Sequence, residues 1–90
     1  MFYTYVLKST KDRNLYTGYT NDLKRRIKEH KSGFSTYTKY RGPYELIYYE
    51  ACLNEFDAKA REIYLKSGRG KLFLKSRLKR HFEGMDPVQK

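Results

Sequence analysis

Two short aromatic runs open this chain, Phe2–Lys8 and Leu15–Tyr19, with only Ser9-Thr10-Lys11-Asp12-Arg13-Asn14 between them. That spacing leaves the start of the fold little choice. Both runs are rich in aromatic and β-branched residues, which suit strands, and the segment between them has turn composition. A hairpin is the simplest connection, and it brings Tyr5 and Tyr16 close together on neighbouring strands. In the first run Tyr3, Tyr5 and Leu7 share one face, and Phe2, Thr4 and Val6 share the other. Both faces are apolar enough to be covered, so this strand is expected at the centre of a sheet. Glu45–Cys52, with Leu46-Ile47-Tyr48-Tyr49 at its middle, reads as a third strand.

Helical signals fill the rest. Thr20-Asn21-Asp22 offers N-cap residues for a helix running to about Lys31, where Ser32-Gly33 ends it. Its apolar anchors are Leu23 and Ile27, and Lys24, Arg25, Lys28 and Lys31 cover the remaining surface. Asn54 caps a second helix that runs to Ser67-Gly68, with Phe56, Ala60, Ile63 and Tyr64 as its apolar stripe. A last helix is expected over Lys71–Phe82, with Leu74, Leu78 and Phe82 on one side. The element order is therefore ββαβαα, in a single domain over residues 1–83 followed by a tail at 84–90. Gly33–Pro43 is a polar, aromatic loop in which tyrosines interleave with Lys39 and Arg41. Such a loop can stack bases and hold phosphates, or its tyrosines can simply pack it onto the body.

Charge then narrows the function. The 90 residues carry 20 Lys and Arg against 10 Asp and Glu, a formal charge of +10 with a pI near 9.8. Such an excess opposes compaction in a domain of this size, and an anionic partner explains it. Nucleic acid is the first candidate and an anionic membrane surface the second. Seven of the cations fall between Lys24 and Arg41, and seven more, including Arg69 and Lys71, between Lys66 and Arg80. No stretch approaches the roughly 20 apolar residues that span a bilayer, and the N-terminus lacks the pattern of a secretory signal. The lone Cys52 excludes an intrachain disulfide and a multi-cysteine zinc site, and its apolar neighbours make it a small buried hydrophobe. A cytoplasmic location is expected.

Some of these residues can do chemistry. Hydrolysis of a phosphodiester needs an activated water, stabilisation of charge on the phosphoryl oxygens and help for the leaving oxygen. A divalent ion provides the last two, and Mg²⁺ often takes only one or two protein carboxylates. Glu62 can therefore serve as a single metal ligand, although its spacing from Lys59 and Lys66 by itself favours a surface ion pair. Tyr5 and Tyr16 can orient or deprotonate water, although a phenol near pKa 10 is a poor base without nearby cations. Arg26 can clamp a phosphate. His30, one helical turn on, can position that arrangement or join the proton transfers.

The order of these residues resembles a known family. Tyr3-Thr4-Tyr5, ten further residues, Tyr16-Thr17-Gly18, then Arg26 on the following helix and Glu62 on a later one is similar to the GIY-YIG nuclease domain. The run from Leu15 to Arg26 is especially similar to small stand-alone members related to the N-terminal incision domain of UvrC. Each short motif is weak, but their order and spacing together are specific. The resemblance implies an α/β (α+β) fold with a three-stranded antiparallel sheet flanked by helices. It implies Tyr16 as the water-activating phenol, Tyr5 positioning water or phosphate, Arg26 stabilising phosphoryl charge, His30 beside the site, and Glu62 binding one Mg²⁺ or Mn²⁺. Gly18 would allow close backbone approach beneath the substrate. Thr4 and Thr17 replace the isoleucines of the family name and keep a β-branched strand residue. Tyr19 stands where the UvrC domain usually has a lysine, so Tyr16 needs another source of activation.

Two functions follow. The first is a metal-dependent endonuclease acting on single-stranded or branched DNA with little sequence specificity. Gly18, Tyr19, Lys24, Arg25, Lys28, Lys39, Arg41, Arg69 and Lys71 would contact the nucleic acid. The second is a catalytically weak or inactive module of the same fold that binds DNA or RNA; it is motivated by Tyr19 and by the two concentrated blocks of cations.

Overall fold

The structure is a computed structural model that describes residues 1–31 and 43–84. The loop positions Lys39 and Arg41, and residues 85–90 of the expected tail, lie outside the described residues. Strand β1 (Phe2–Ser9) is central, flanked by β2 (Leu15–Thr20) and β3 (Tyr44–Cys52), and both pairings are antiparallel. The hairpin forms as its composition predicts. Its turn is tied by Ser9, whose Oγ accepts from the Lys11 and Asp12 amides, and by Asp12, which accepts from the Asn14 amide. Arg13 takes a positive φ of 62° there.

Every β1 residue from Thr4 to Ser9 is buried, because helices cover both faces of the sheet. On one face α1 (Leu23–Lys31) sets Leu23 and Ile27 against Tyr5, Leu7 and Tyr44. The α1 N-terminus is capped by Asp22, whose carboxylate accepts from the Arg25 amide at 3.1 Å. On the other face Val6 packs with Leu65 of α2 (Glu55–Lys66) and Leu74 of α3 (Gly68–Arg77). Thr4 donates its buried hydroxyl to the Ala58 carbonyl of α2 at 2.7 Å, which fixes the height of that helix over the sheet.

Strand β3 does not alternate evenly. Val6 faces Tyr48 while the next residue, Leu7, faces Leu46, so β3 carries a bulge at Ile47. The bulge lets Leu46 join the Tyr5–Leu7 cluster while Ile47 and Tyr48 join the Val6 cluster. Three consecutive large residues thereby serve both cores, while the next, Tyr49, is exposed.

Three sequence expectations for the helices change. The predicted apolar stripe of α2 divides: Tyr64 packs against the Val6 cluster, but Phe56 is 75% and Ile63 73% exposed, and Ala60 is exposed as well. The buried positions are Ala58 and Leu65, seven residues apart and so on one helix face, and the cap at Asn54 and the contacts to Thr4 and Val6 turn that face inward. Next, α3 begins at Gly68 rather than Lys71. Ser67 ends α2 and caps α3, its Oγ donating to the Tyr64 carbonyl and accepting from the Gly70 amide. Finally, the last helix is broken at Leu78, and a short α4 (Lys79–Gly84) follows. Cys52, expected to be buried, is partly exposed.

Candidate active site

Tyr5, Tyr16, Arg26, His30 and Glu62 arrive from β1, β2, α1 and α2, and all five line one cleft of about 420 Å³. The cleft opens at the β2 edge of the sheet, where α1 lies to one side and α2 to the other. Lys66 and Lys71 add two cations to its wall.

The register explains the tyrosine pair. Tyr5 lies opposite Gly18, and Leu7 opposite Tyr16. Tyr5 and Tyr16 are thus diagonal neighbours on one face rather than direct partners. A Cβ at Gly18 would lie 2.5 Å from Tyr5 Cζ. The close approach that Gly18 permits is therefore made by the Tyr5 ring, which passes over β2 toward α1.

There the Tyr5 hydroxyl meets the two α1 residues that share a helix face. Its oxygen lies 2.9 Å from His30 Nε2 and accepts from Arg26 Nε at 3.3 Å. Arg26 also pairs with Glu29 at 3.0 Å. Burial raises the Tyr5 phenol above its ordinary pKa, and the Arg26 hydrogen bond and charge offset this only in part. His30 is 8% exposed; burial, followed by the charge of Arg26, lowers its imidazole. Both groups are therefore neutral near pH 7. With Arg26 donating to the phenol oxygen, the phenol proton can be given to His30 Nε2 when the imidazole carries its own proton on Nδ1.

Tyr16 sits differently. Its ring packs edge-on against Tyr44 at 5.3 Å, and its hydroxyl donates to the Asp12 carboxylate at 3.3 Å. Asp12 was not among the residues singled out from sequence, nor was Glu29. Asp12 reads as a turn former, and only the hairpin register aims it back at Tyr16.

Glu62 enters from the α2 side, its carboxylate paired with Lys66 at 3.0 Å. Among the described residues no three His, Cys, Asp or Glu side chains converge as a metal-holding group. The donor set is thus one carboxylate, in a cleft whose wall also includes Leu7, Leu15 and Leu65. It fits a hard divalent ion that keeps most of its waters, as Mg²⁺ does, and not an ion needing a cage of protein ligands.

The expected nucleic-acid contacts divide. Lys71 lines the cleft, while Lys24, Arg25 and Lys28 lie on the exposed surface of α1 and Arg69 on that of α3. Tyr19 points to the opposite face of β2 from Tyr16, where it stacks on Phe2 and lies beneath Lys59 of α2. No helix among the described residues is long and apolar enough to cross a membrane.

Comparison with known proteins gives a consistent picture. The model of the GIY-YIG catalytic domain matches residues 1–75. A UPF0213 protein of Clostridium perfringens is 49% identical over 67 residues, covering 73% of this chain and 71% of its own. A UPF0213 protein of Oceanobacillus iheyensis is 40% identical over 65 residues, covering 71% and 74%. The solution NMR structure of a UPF0213 protein from Bacillus halodurans superposes with a TM-score of 0.52 at 42% identity, over 84% of each chain.

Proposed function

The chain belongs to the GIY-YIG nuclease family, and from that premise we propose that it is a divalent-metal-dependent endonuclease acting on single-stranded or branched DNA with little sequence specificity. One observation carries the reading: five residues far apart in sequence, of the types phosphodiester hydrolysis needs, line a single cleft in a domain of charge +10.

The two tyrosines have separate tasks. Tyr5, neutral and fixed between Arg26 and His30, is suited to hold a water or a phosphate oxygen and not to take a proton. Tyr16 activates the water, and its hydroxyl already donates to Asp12. As the water oxygen bonds to phosphorus, its proton passes to Tyr16 Oη and the Tyr16 proton passes to Asp12, while the bond from phosphorus to the leaving oxygen breaks. The carboxylate thus supplies the basicity a phenol lacks. Arg26 carries five N–H donors and retains some beyond its bonds to Tyr5 and Glu29 for the growing phosphoryl charge. Glu62 would hold one Mg²⁺ or Mn²⁺, which when bound stabilises the phosphoryl and leaving oxygens.

A second reading, a binding module with little or no catalysis, is favoured by the Glu62–Lys66 pair, which leaves Glu62 explained as an ordinary helix ion pair. Incubation with end-labelled single-stranded, branched and duplex DNA, in Mg²⁺, Mn²⁺ or EDTA, separates the two. The nuclease cuts only with metal. Glu62→Ala abolishes cutting, and Tyr16→Phe slows it at least ~100-fold, with binding retained in both. Binding without cutting on every substrate would establish the binding module instead.

A further inference from the structure

The outward stripe of α2 is an apolar surface whose composition asks for a ligand. Phe56 and Ile63 are 75% and 73% exposed. They flank Lys59, which pairs with Glu55 at 2.9 Å and whose Nζ lies 5.9 Å from the centre of the Phe56 ring and 5.4 Å from that of Tyr19, so an incoming phosphate would share or replace the Glu55 contact. Tyr19 in turn stacks on Phe2 at 6.3 Å with only 11° between the ring planes. Aromatic faces and a cation are thus gathered at the edge of the sheet. They continue directly from the cleft, because Lys59 and Glu62 are one helical turn apart and therefore neighbours on α2.

We propose that Phe56, with Tyr19 and Lys59, forms a base-stacking subsite that holds an unpaired nucleobase of a single strand whose backbone enters the cleft at Glu62. The inference rests on nucleic acid being the partner, and it adds how single strands are told from duplex. A base inside a duplex presents no free face, whereas an unpaired base can lie on Phe56 while Lys59 meets the neighbouring phosphate. Charge argues against a second copy of this chain as the occupant. Two molecules that each carry a net charge of +10 would repel one another across such an interface. An anionic, aromatic ligand complements both features of the surface.

The test is binding in EDTA, measured by fluorescence anisotropy, with three labelled probes: an oligothymidylate, an abasic strand of equal length, and a duplex. Since Phe56 is mostly exposed, Phe56→Ala leaves the core intact. The expected result is oligothymidylate binding weakened about tenfold in Phe56→Ala, abasic-strand and duplex binding changed less than about twofold, and recovery in Phe56→Trp. The proposal is overturned by equal losses on the oligothymidylate and abasic strands, by no loss on either, or by failure of the unaltered protein to bind oligothymidylate. It is also overturned if sedimentation shows that Phe56→Ala dissociates a dimer, which would make the stripe a self-interface. Cutting is not read in this assay. An inactive protein that stacks bases would sink the nuclease and keep the subsite, and an active one indifferent to Phe56→Ala would do the reverse.

Discussion

His30 shows what one side chain contributes and what it costs. Its imidazole is buried against the Tyr5 phenol, and burial and Arg26 together hold its pKa below the ordinary 6.5, with Glu29 acting the other way. The folded protein therefore takes up the His30 proton at lower pH than the unfolded chain does. Stability from the neutral imidazole is complete above about pH 6.5 and is lost as pH falls through the lower folded value. Urea unfolding should accordingly show a larger fall in midpoint between pH 7 and pH 5 for the unaltered protein than for His30→Gln, which keeps a neutral hydrogen-bonding group. Equal falls would mean that the imidazole is not the group titrating. At this scale much of the site was legible in the sequence. Arg26 and His30 lie four residues apart and so share a helix face, and Tyr5 and Tyr16 fall on paired strands. What stayed hidden were contacts set by tertiary register: Asp12 turned back toward Tyr16, and the Tyr5 ring filling the space over Gly18.

At the scale of elements, periodicity identified each strand and helix but not always which way it faced. The α2 apolar spacing is real, yet the buried face is set by Ala58 and Leu65, which the stripe of larger residues outweighs in any sequence count. The bulge at Ile47 was similarly silent, since a continuous apolar run does not reveal where alternation slips. The tight α2–α3 junction is hidden in the sequence because Ser67-Gly68-Arg69-Gly70 has loop composition. In the fold, Gly70 is needed for close helix approach. A Cβ there would lie 2.7 Å from the Tyr64 carbonyl carbon, with Leu65 Cα closer still, whereas one at Gly68 would meet nothing within 4 Å. Backbone cannot move aside as a side-chain tip can, so Gly70→Ala should destabilise by about 3 kcal/mol and lower the thermal midpoint by more than ~10 °C. Gly68→Ala, in the first turn of α3, should be neutral or slightly stabilising. Calorimetry of the two variants side by side checks both, and equal midpoints would show that α3 can shift to make room.

For the molecule as a whole the governing quantity is charge. A domain with ten more cations than anions binds nucleic acid largely by releasing counterions, so the logarithm of affinity should fall linearly with the logarithm of salt concentration, by about 0.7 for each phosphate neutralised on a single strand. Lys71 lines the cleft; if it meets a phosphate there, Lys71→Ala should flatten the slope by about 0.7. Glu62→Ala should behave in the opposite sense. It removes the negative partner of Lys66 and frees that ammonium for phosphate, so without metal the variant should bind as tightly as the unaltered protein or more tightly, with a slope at least as steep. The pairing of these results separates two roles that the cleft superimposes. A carboxylate that matters for cutting but opposes binding is acting through the metal ion. If Glu62→Ala instead weakened metal-free binding and flattened the slope, Glu62 would be ordering the cationic wall of the cleft, and the loss of cutting in that variant could no longer be assigned to a missing metal ligand.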